Sequence, residues 1–432
     1  MKKVLIIFVT MFYAHCIFGQ KSESIPRVVL HESFTSSTCG PCYQENIALK
    51  KIFEQADSEK FALIKYQMNW PSTGDPYFTE EGNTRRNYYG INGVPIMFVE
   101  GVRVGEYSVN QINNLAERPA MAKMESFATR QDKTINFNVI ITPDSQPNNY
   151  LRLFVAIVEK ETKNNKKSNG ETVFYNVFKK FMTTSNGNTL SSLALGKQTT
   201  ISLTYQFNGD YRLPSDANSP INHTIEHSVE DFNKLMIVYW IQNFVTKDTW
   251  QAGCIEPVET SNVYVKYNVY NDFGIITATA EGENIESGEL VEFGSKIIFI
   301  ATPDNGYKVK NWNINGEIVT DNNTNELVIQ SLTSFANVTV EFQENVEILQ
   351  EGISVPCFTL YPNPTRGELR VENGELKIKS VIVYNVAGQA VMNVSNINST
   401  SYSLNVEKLN SGLYFISVHT KDVVVNGKFV VR

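Results

Sequence analysis

Two cysteines separated by two residues, Cys39 and Cys42, sit in the stretch FTSSTCGPCYQENIALKKIF and are the side chains best spaced for chemistry. Such a pair can close a disulfide, exchange it with another sulfur, or supply half of a metal site. The flanking residues favour exchange. Val28, Val29 and Leu30 give Arg27–Phe34 the character of a strand, while Ile47, Ala48, Ile52 and Phe53 recur at helical spacing after the pair. Cys39 would then stand where free N–H groups and the positive end of a helix dipole favour a thiolate, lowering its pKa. Pro41 suits the first helical position because it has no N–H to leave unpaired. Cys42, further along the helix, reads as the buried resolving thiol. No metal is expected here, since a second CxxC is lacking and Cys254 and Cys357 lie over two hundred residues away. A purely structural bridge is the plain alternative, although cross-linking so small a loop removes little entropy from the unfolded chain.

The elements around the pair belong to a chain bound for export. Lys2 and Lys3 precede an apolar run, Val4–Phe18, that ends at Gly19, which reads as a secretory signal over 1–19. The run is shorter than the roughly 20 apolar residues of a membrane helix and is interrupted by Tyr13, His15 and Cys16. Tyr13 and His15 also depart from the small-residue box that would make Cys16 a lipoprotein site. No integral membrane segment is expected after cleavage. Losing Lys2 and Lys3 leaves 36 basic against 45 acidic residues, so the formal charge moves from −7 to −9. That balance argues against nucleic acid or anionic lipid as a partner. The four cysteines left are too few for a disulfide framework and suit one reactive pair plus Cys254 and Cys357, whose pairing the sequence leaves open.

A chain of this length needs several cores. Over 27–118 strand and helix signals alternate: Phe61–Met68 reads as a second strand, Pro95–Val99 and Val102–Val104 as a hairpin through Glu100-Gly101, and Ser108 with Gln111 as a capping box for a closing helix. Over 119–262 the signals are strands alone, at Thr134–Ile141, Tyr150–Glu159, Thr199–Phe207 and Leu235–Phe244, with KETKNNKKSNGE between two of them reading as a solvated loop. Short strands around glycines occupy 268–343 and 359–432. The expected fold class is multidomain: an α/β domain followed by all-β modules, namely a β-sandwich, a small β domain and a C-terminal β-sandwich.

CGPC after a strand, with GINGVPIMFVEG some fifty residues on, resembles the thioredoxin fold. The resemblance implies a cis Pro95 packed against the pair, with Val94 exposing its backbone to a substrate chain beside Cys39. It assigns Cys39, Cys42 and Pro95 to catalysis and Val94, Gly40 and Pro41 to substrate binding, with no cofactor and with protein or peptide thiols and disulfides as partners. HESFTSSTCGPCY, DPYFTEEGNTRRNYYGINGVP and VYWIQNFVTKDTWQAG are together similar to a Bacteroidota family of exported thioredoxin-like proteins grouped with a twenty-eight-kilodalton outer-membrane protein, over roughly 27–262. Two positions depart from the thioredoxin pattern. Thr38 stands where Trp is usual, and Ser33 where a buried Asp is usual. Glu32 is adjacent, but a shift of one residue on a strand turns it to the opposite face. Proton transfer at Cys42 is then left to water or another group.

GENIESGELVEFGSKIIFIATPDNGYKVKNWNING resembles the divergent internalin-type B-repeat, which implies a spacer or adhesive role, with Trp312 and Tyr307 packed in its core. LYPNPTRGELRV, VIVYNVAGQAV, LNSGLYFISV and GKFVVR, in that order, resemble the type A C-terminal sorting domain of the type IX secretion system. That resemblance implies contact with the secretion machinery through 359–432, passage through the periplasm of a Gram-negative bacterium, and delivery to the cell surface or medium. HTIEH at His223–His227 matches an inverted zinc-hydrolase pattern in letters, but Pro220 and two β-branched residues oppose the helix it needs, and it reads as a solvated connection. TDNNTNE at 320–326 has calcium-loop spacing without the required glycine and reads as a polar hairpin loop. Two functions are thus expected to compete: a thiol-disulfide oxidoreductase, and a non-enzymatic surface binding or adhesive protein with a static Cys39–Cys42 disulfide.

Overall fold

The computed structural model describes residues 25–345, 358–374, 376–421 and 423–432, and the chain divides into two compact units at Asn345. The signal segment 1–19 and Cys357 lie outside the described residues.

The first unit opens with β1 (Val29–Thr35), α1 (Gly40–Gln55), β2 (Phe61–Gln67), α2 (Glu80–Tyr89), β3 (Ile96–Val99), β4 (Val102–Val104) and α3 (Val109–Ala116). β1 and β2 run parallel across the α1 crossover, β3 is antiparallel to β1, and β4 closes the hairpin. The hairpin turns at Glu100 and Gly101, both with positive φ, and a Cβ at Gly101 would run into the Lys247 carbonyl. Ser108 does precede α3, but its hydroxyl donates to the Gln111 side chain rather than capping a backbone N–H.

Strands alone follow: β5 (Ala122–Gln131), β6 (Thr134–Pro143), β7 (Leu151–Thr162), β8 (Phe174–Phe181), β9 (Asn188–Thr189), β10 (Thr199–Gln206), β11 (Asp210–Tyr211), β12 (Glu226–His227), β13 (Leu235–Asn243), β14 (Thr249–Ile255) and β15 (Val258–Glu259). One sheet runs through both stretches, in the order β14-β13-β7-β8-β2-β1-β3-β4 with β9 on β7, so 27–118 and 119–262 share it. The cause lies in β7 and β13, which are apolar on both faces. Leu153, Val155, Ile157, Ile237, Tyr239 and Ile241 pack toward a second sheet, β10-β6-β5-β15. Their alternates Phe154, Ala156, Val158, Val238 and Trp240 pack with Phe34, Ile64 and Tyr66 of β1 and β2.

Residues 263–344 form two further sheets around Val265, Phe299, Trp312, Val338 and Phe342. Trp312 is fully buried and donates through Nε1 to the Thr324 carbonyl, while Tyr307 stacks on Phe273 at 4.3 Å. Segment 320–326 turns between two strands, with the Asn322 side chain bonded to Thr324 and to the Glu326 carbonyl. The second unit pairs a three-stranded sheet (359–361, 368–372, 401–405) with a four-stranded one (390–399, 378–384, 412–419, 424–431) around Leu369, Val381, Leu404, Ile416 and Phe429.

Candidate functional site

Cys39 caps α1. Its backbone is extended (φ −98°, ψ 109°), its sulfur accepts from the Cys42 N–H at 3.2 Å, and no acidic residue occupies the first turn. Gly40 is the first helical residue, which puts Pro41 second rather than first. Cys39 and Cys42 form a disulfide with Cα atoms 5.3 Å apart. Gly40 and Pro41 are exposed, while Cys39 is 2 % exposed and Cys42 not at all. Val94 and Pro95 are joined by a cis peptide, and the Val94 carbonyl oxygen lies 3.6 Å from the Cys39 sulfur. The structure thus brings Cys39, Cys42 and Val94 together, with Gly40, Pro41 and Pro95 beside them in the chain.

The segment before the pair is tied down from three directions. Thr38 donates its hydroxyl to the Pro71 carbonyl at 2.6 Å. Asp75, fully buried, accepts from the backbone N–H groups of Ser37 and Tyr77. Burial raises the Asp75 carboxyl above its ordinary range, and those hydrogen bonds oppose the rise. The third contact corrects an expectation. KETKNNKKSNGE is only in part a solvated loop: Lys163, Asn164 and Lys166–Ser168 are exposed, but its first residues extend β7, Asn165 is fully buried with its amide on Asp75, and Asn169 bonds to the Ser36 and Ser37 carbonyls.

The same loop delivers a carboxylate behind the helix. Asn46, one turn after Cys42, donates to Thr35 Oγ1 at 3.1 Å and to Glu171 Oε2 at 3.0 Å, and accepts from Lys65 Nζ at 3.0 Å. All four polar side chains are more than nine-tenths buried. Burial pushes the Lys65 ammonium down to about 8, with Glu171 and Glu45 opposing it, and raises the Glu171 carboxyl. Lys65 stands directly across the ladder from Ser33. Glu32 faces the other way, where it takes a two-pronged ion pair from Arg85 and hydrogen bonds from Tyr66 and Tyr89. Sequence reasoning missed Asn46, Lys65, Asp75, Asn169 and Glu171. Of the apolar letters at helical spacing in α1, Ile52 and Phe53 pack on Val29, Leu49, Met97 and Val99, whereas Ala48 is exposed; Cys42, Asn46 and Leu49 are the buried residues of the helix.

The remaining motifs do not converge on this site. His227 lies on the short β12 and His223 in the turn before it, so HTIEH forms no helix. Burial lowers both imidazoles. Among the described residues no group of three or more His, Cys, Asp or Glu is placed to hold a metal ion. Cys254 is a free, exposed thiol at the end of β14.

Comparisons with known proteins add two segments. Residues 359–432 match the secretion system C-terminal sorting domain, and 275–346 match the divergent InlB B-repeat domain. No curated protein matches the chain. Among solved structures, HBP35 of Porphyromonas gingivalis is 15 % identical over 95 % of this chain and 99 % of its own, with a TM-score of 0.42. The BSP domain of a biofilm-associated protein is 8 % identical over 72 % of this chain and 81 % of its own, with a TM-score of 0.15. The sorting domain makes this an exported protein of the cell surface or extracellular space that engages the type IX secretion machinery. It carries a Cys39–Cys42 disulfide, and among the described residues no helix is long and apolar enough to cross a membrane.

Proposed function

We propose that residues 27–118 are a thioredoxin-like unit and that the exported protein exchanges thiols and disulfides with protein or peptide substrates. The observation that carries the reading is the Cys39–Cys42 disulfide at the start of α1, with the Val94 carbonyl against the Cys39 sulfur. In the reduced protein the Cys39 thiolate attacks one sulfur of a substrate disulfide, forming a mixed disulfide and releasing the other sulfur as a thiolate. Cys42 then gives up its proton and attacks the Cys39 sulfur. This re-forms the Cys39–Cys42 bond, frees the second substrate thiolate, and moves two electrons from protein to substrate. The oxidised form runs the same steps backward on a substrate dithiol. Val94 and Pro95, with Gly40 and Pro41, shape the groove in which the substrate backbone lies beside Cys39. Insulin reduction driven by dithiothreitol tests this: Cys39→Ser should abolish the stimulation, and an unchanged rate would refute it.

A second reading rests on the near-complete burial of Cys39. A sulfur so enclosed also suits a static disulfide in a binding or adhesive surface protein. A reduction potential below about −300 mV would select this reading, and one between about −120 and −270 mV the first.

A further inference from the structure

Part of the outer face of the second sheet of the sandwich, around Asn136 and Asn138, is polar and uncharged. Asn138 on β6 lies across from Phe127 on β5 and Ser202 on β10, and Asn136 lies across from Thr129 and Thr204. Loops from 260–264, Phe293, Asn315 and 333–335 close over this face and enclose a cavity of about 430 Å³, within the size range of small-ligand sites. Of the 17 residues lining it, 13 carry a hydroxyl or carboxamide and none is Asp, Glu, Lys, Arg or His. In a chain with 19 % charged residues that wall is selective.

Asn138 and Thr129 line the cavity, are each 8 % exposed, and make no side-chain hydrogen bond among the described residues. At the rim Phe293 lines the cavity yet stays 57 % exposed. Below it Phe127 packs against Tyr264 and Phe335, both at 5.2 Å between ring centroids, which holds the covering loops in place.

We propose that this cavity binds a neutral carbohydrate. Each sugar hydroxyl both donates and accepts, as carboxamides and hydroxyls do, so Asn138, Thr129, Asn136 and Ser202 match it without a countercharge. The C–H face of a pyranose lies on the Phe293 ring. An anionic or cationic ligand would find no opposite charge on the wall. An apolar one would leave Asn138 and Thr129 desolvated and unpaired.

The experiment is calorimetric titration of the full mature chain with maltotetraose, mannotetraose, galactotetraose and chitotetraose, alongside a heparin tetrasaccharide and an uncharged tetrapeptide. At least one neutral tetrasaccharide should bind, with an affinity unchanged between low and high salt. Phe293→Ala and Asn138→Ala should each weaken it about tenfold or more. Phe293 is exposed, so that variant tests the contact without disturbing the core. The proposal is overturned if none of the four neutral sugars binds, if only heparin or the peptide binds, or if binding is indifferent to both substitutions.

Discussion

Lys65→Met turns the buried network behind α1 into a measurable quantity. Burial holds the Lys65 ammonium down from 10.5 to about 8, while the unfolded chain keeps the ordinary lysine value. Between those values the unfolded chain binds a proton that folded Lys65 has released, so stability rises with pH across that window. Below pH 8 the folded protein bears the full cost of an enclosed charge, and the cost is relieved as pH rises. Integrated, the linkage amounts to about 3 kcal/mol, of which about 2 kcal/mol falls between pH 7 and 9.5. The charged groups acting on Lys65 are Glu171, Glu45 and Lys50; burial raises the Glu171 carboxyl, and the Asn46 hydrogen bond and Lys65 oppose that rise. Urea unfolding followed by tryptophan emission reads the correct unit, because Trp70, Trp240, Trp250 and Trp312 all precede Asn345. The stability of wild type relative to Lys65→Met should increase by about 2 kcal/mol from pH 7 to 9.5. A difference that stays constant within about 0.5 kcal/mol would show that Lys65 is not isolated from water, and the reasoning would fail.

Two further outcomes are expected. Lys179 and Glu159 are an enclosed ion pair 3.0 Å apart, each at most 1 % exposed, so Lys179→Met should destabilise the unit by about 3–5 kcal/mol in the same assay, with partial recovery when Glu159→Gln is added. Deleting 359–432 should keep the protein from the surface and medium, as read by cell fractionation and protease shaving; unchanged export would contradict the role of the sorting domain.

What could be read from the letters was whatever is periodic. β-branched residues before the pair and apolar letters after it placed β1 and α1, and Glu100-Gly101 placed the turn between β3 and β4. The shared sheet was not legible, because apolarity on both faces of β7 and β13 reads as a sandwich strand whichever neighbours cover it. β8 was missed: in FYNVFKKF two lysines obscure the apolar residues, yet Lys179 is buried on Glu159 and Lys180 is paired with Glu81. The docking loop was misread for the same reason. Polar groups buried on polar groups leave no periodic trace, and the partners of Asn165 and Asn169 lie at Asp75, Ser36 and Ser37, some 90 to 133 positions earlier. The outward polar positions of β6 and β10 carry no sequence signal of a site, and only their enclosure by residues of 260–335 sets them apart.

The missing acid at position 33 has a structural counterpart. Lys65 faces Ser33 across the ladder and finds no carboxylate there. Glu32 is of no use to it, since its oxygens are taken on the opposite face by Arg85, Tyr66 and Tyr89. The compensating charge comes from Glu171, carried in by the loop between β7 and β8 and joined to Lys65 through the Asn46 carboxamide. The Asn169 and Asn165 contacts that seat this loop on Ser36, Ser37 and Asp75 are therefore the contacts that hold Glu171 in place. Seating the loop on the chain before Cys39 and neutralising the lysine behind Cys42 are one structural event. A loop displaced from Ser36 and Ser37 would leave a buried ammonium with no carboxylate joined to it, held by Asn46 one turn of α1 beyond Cys42.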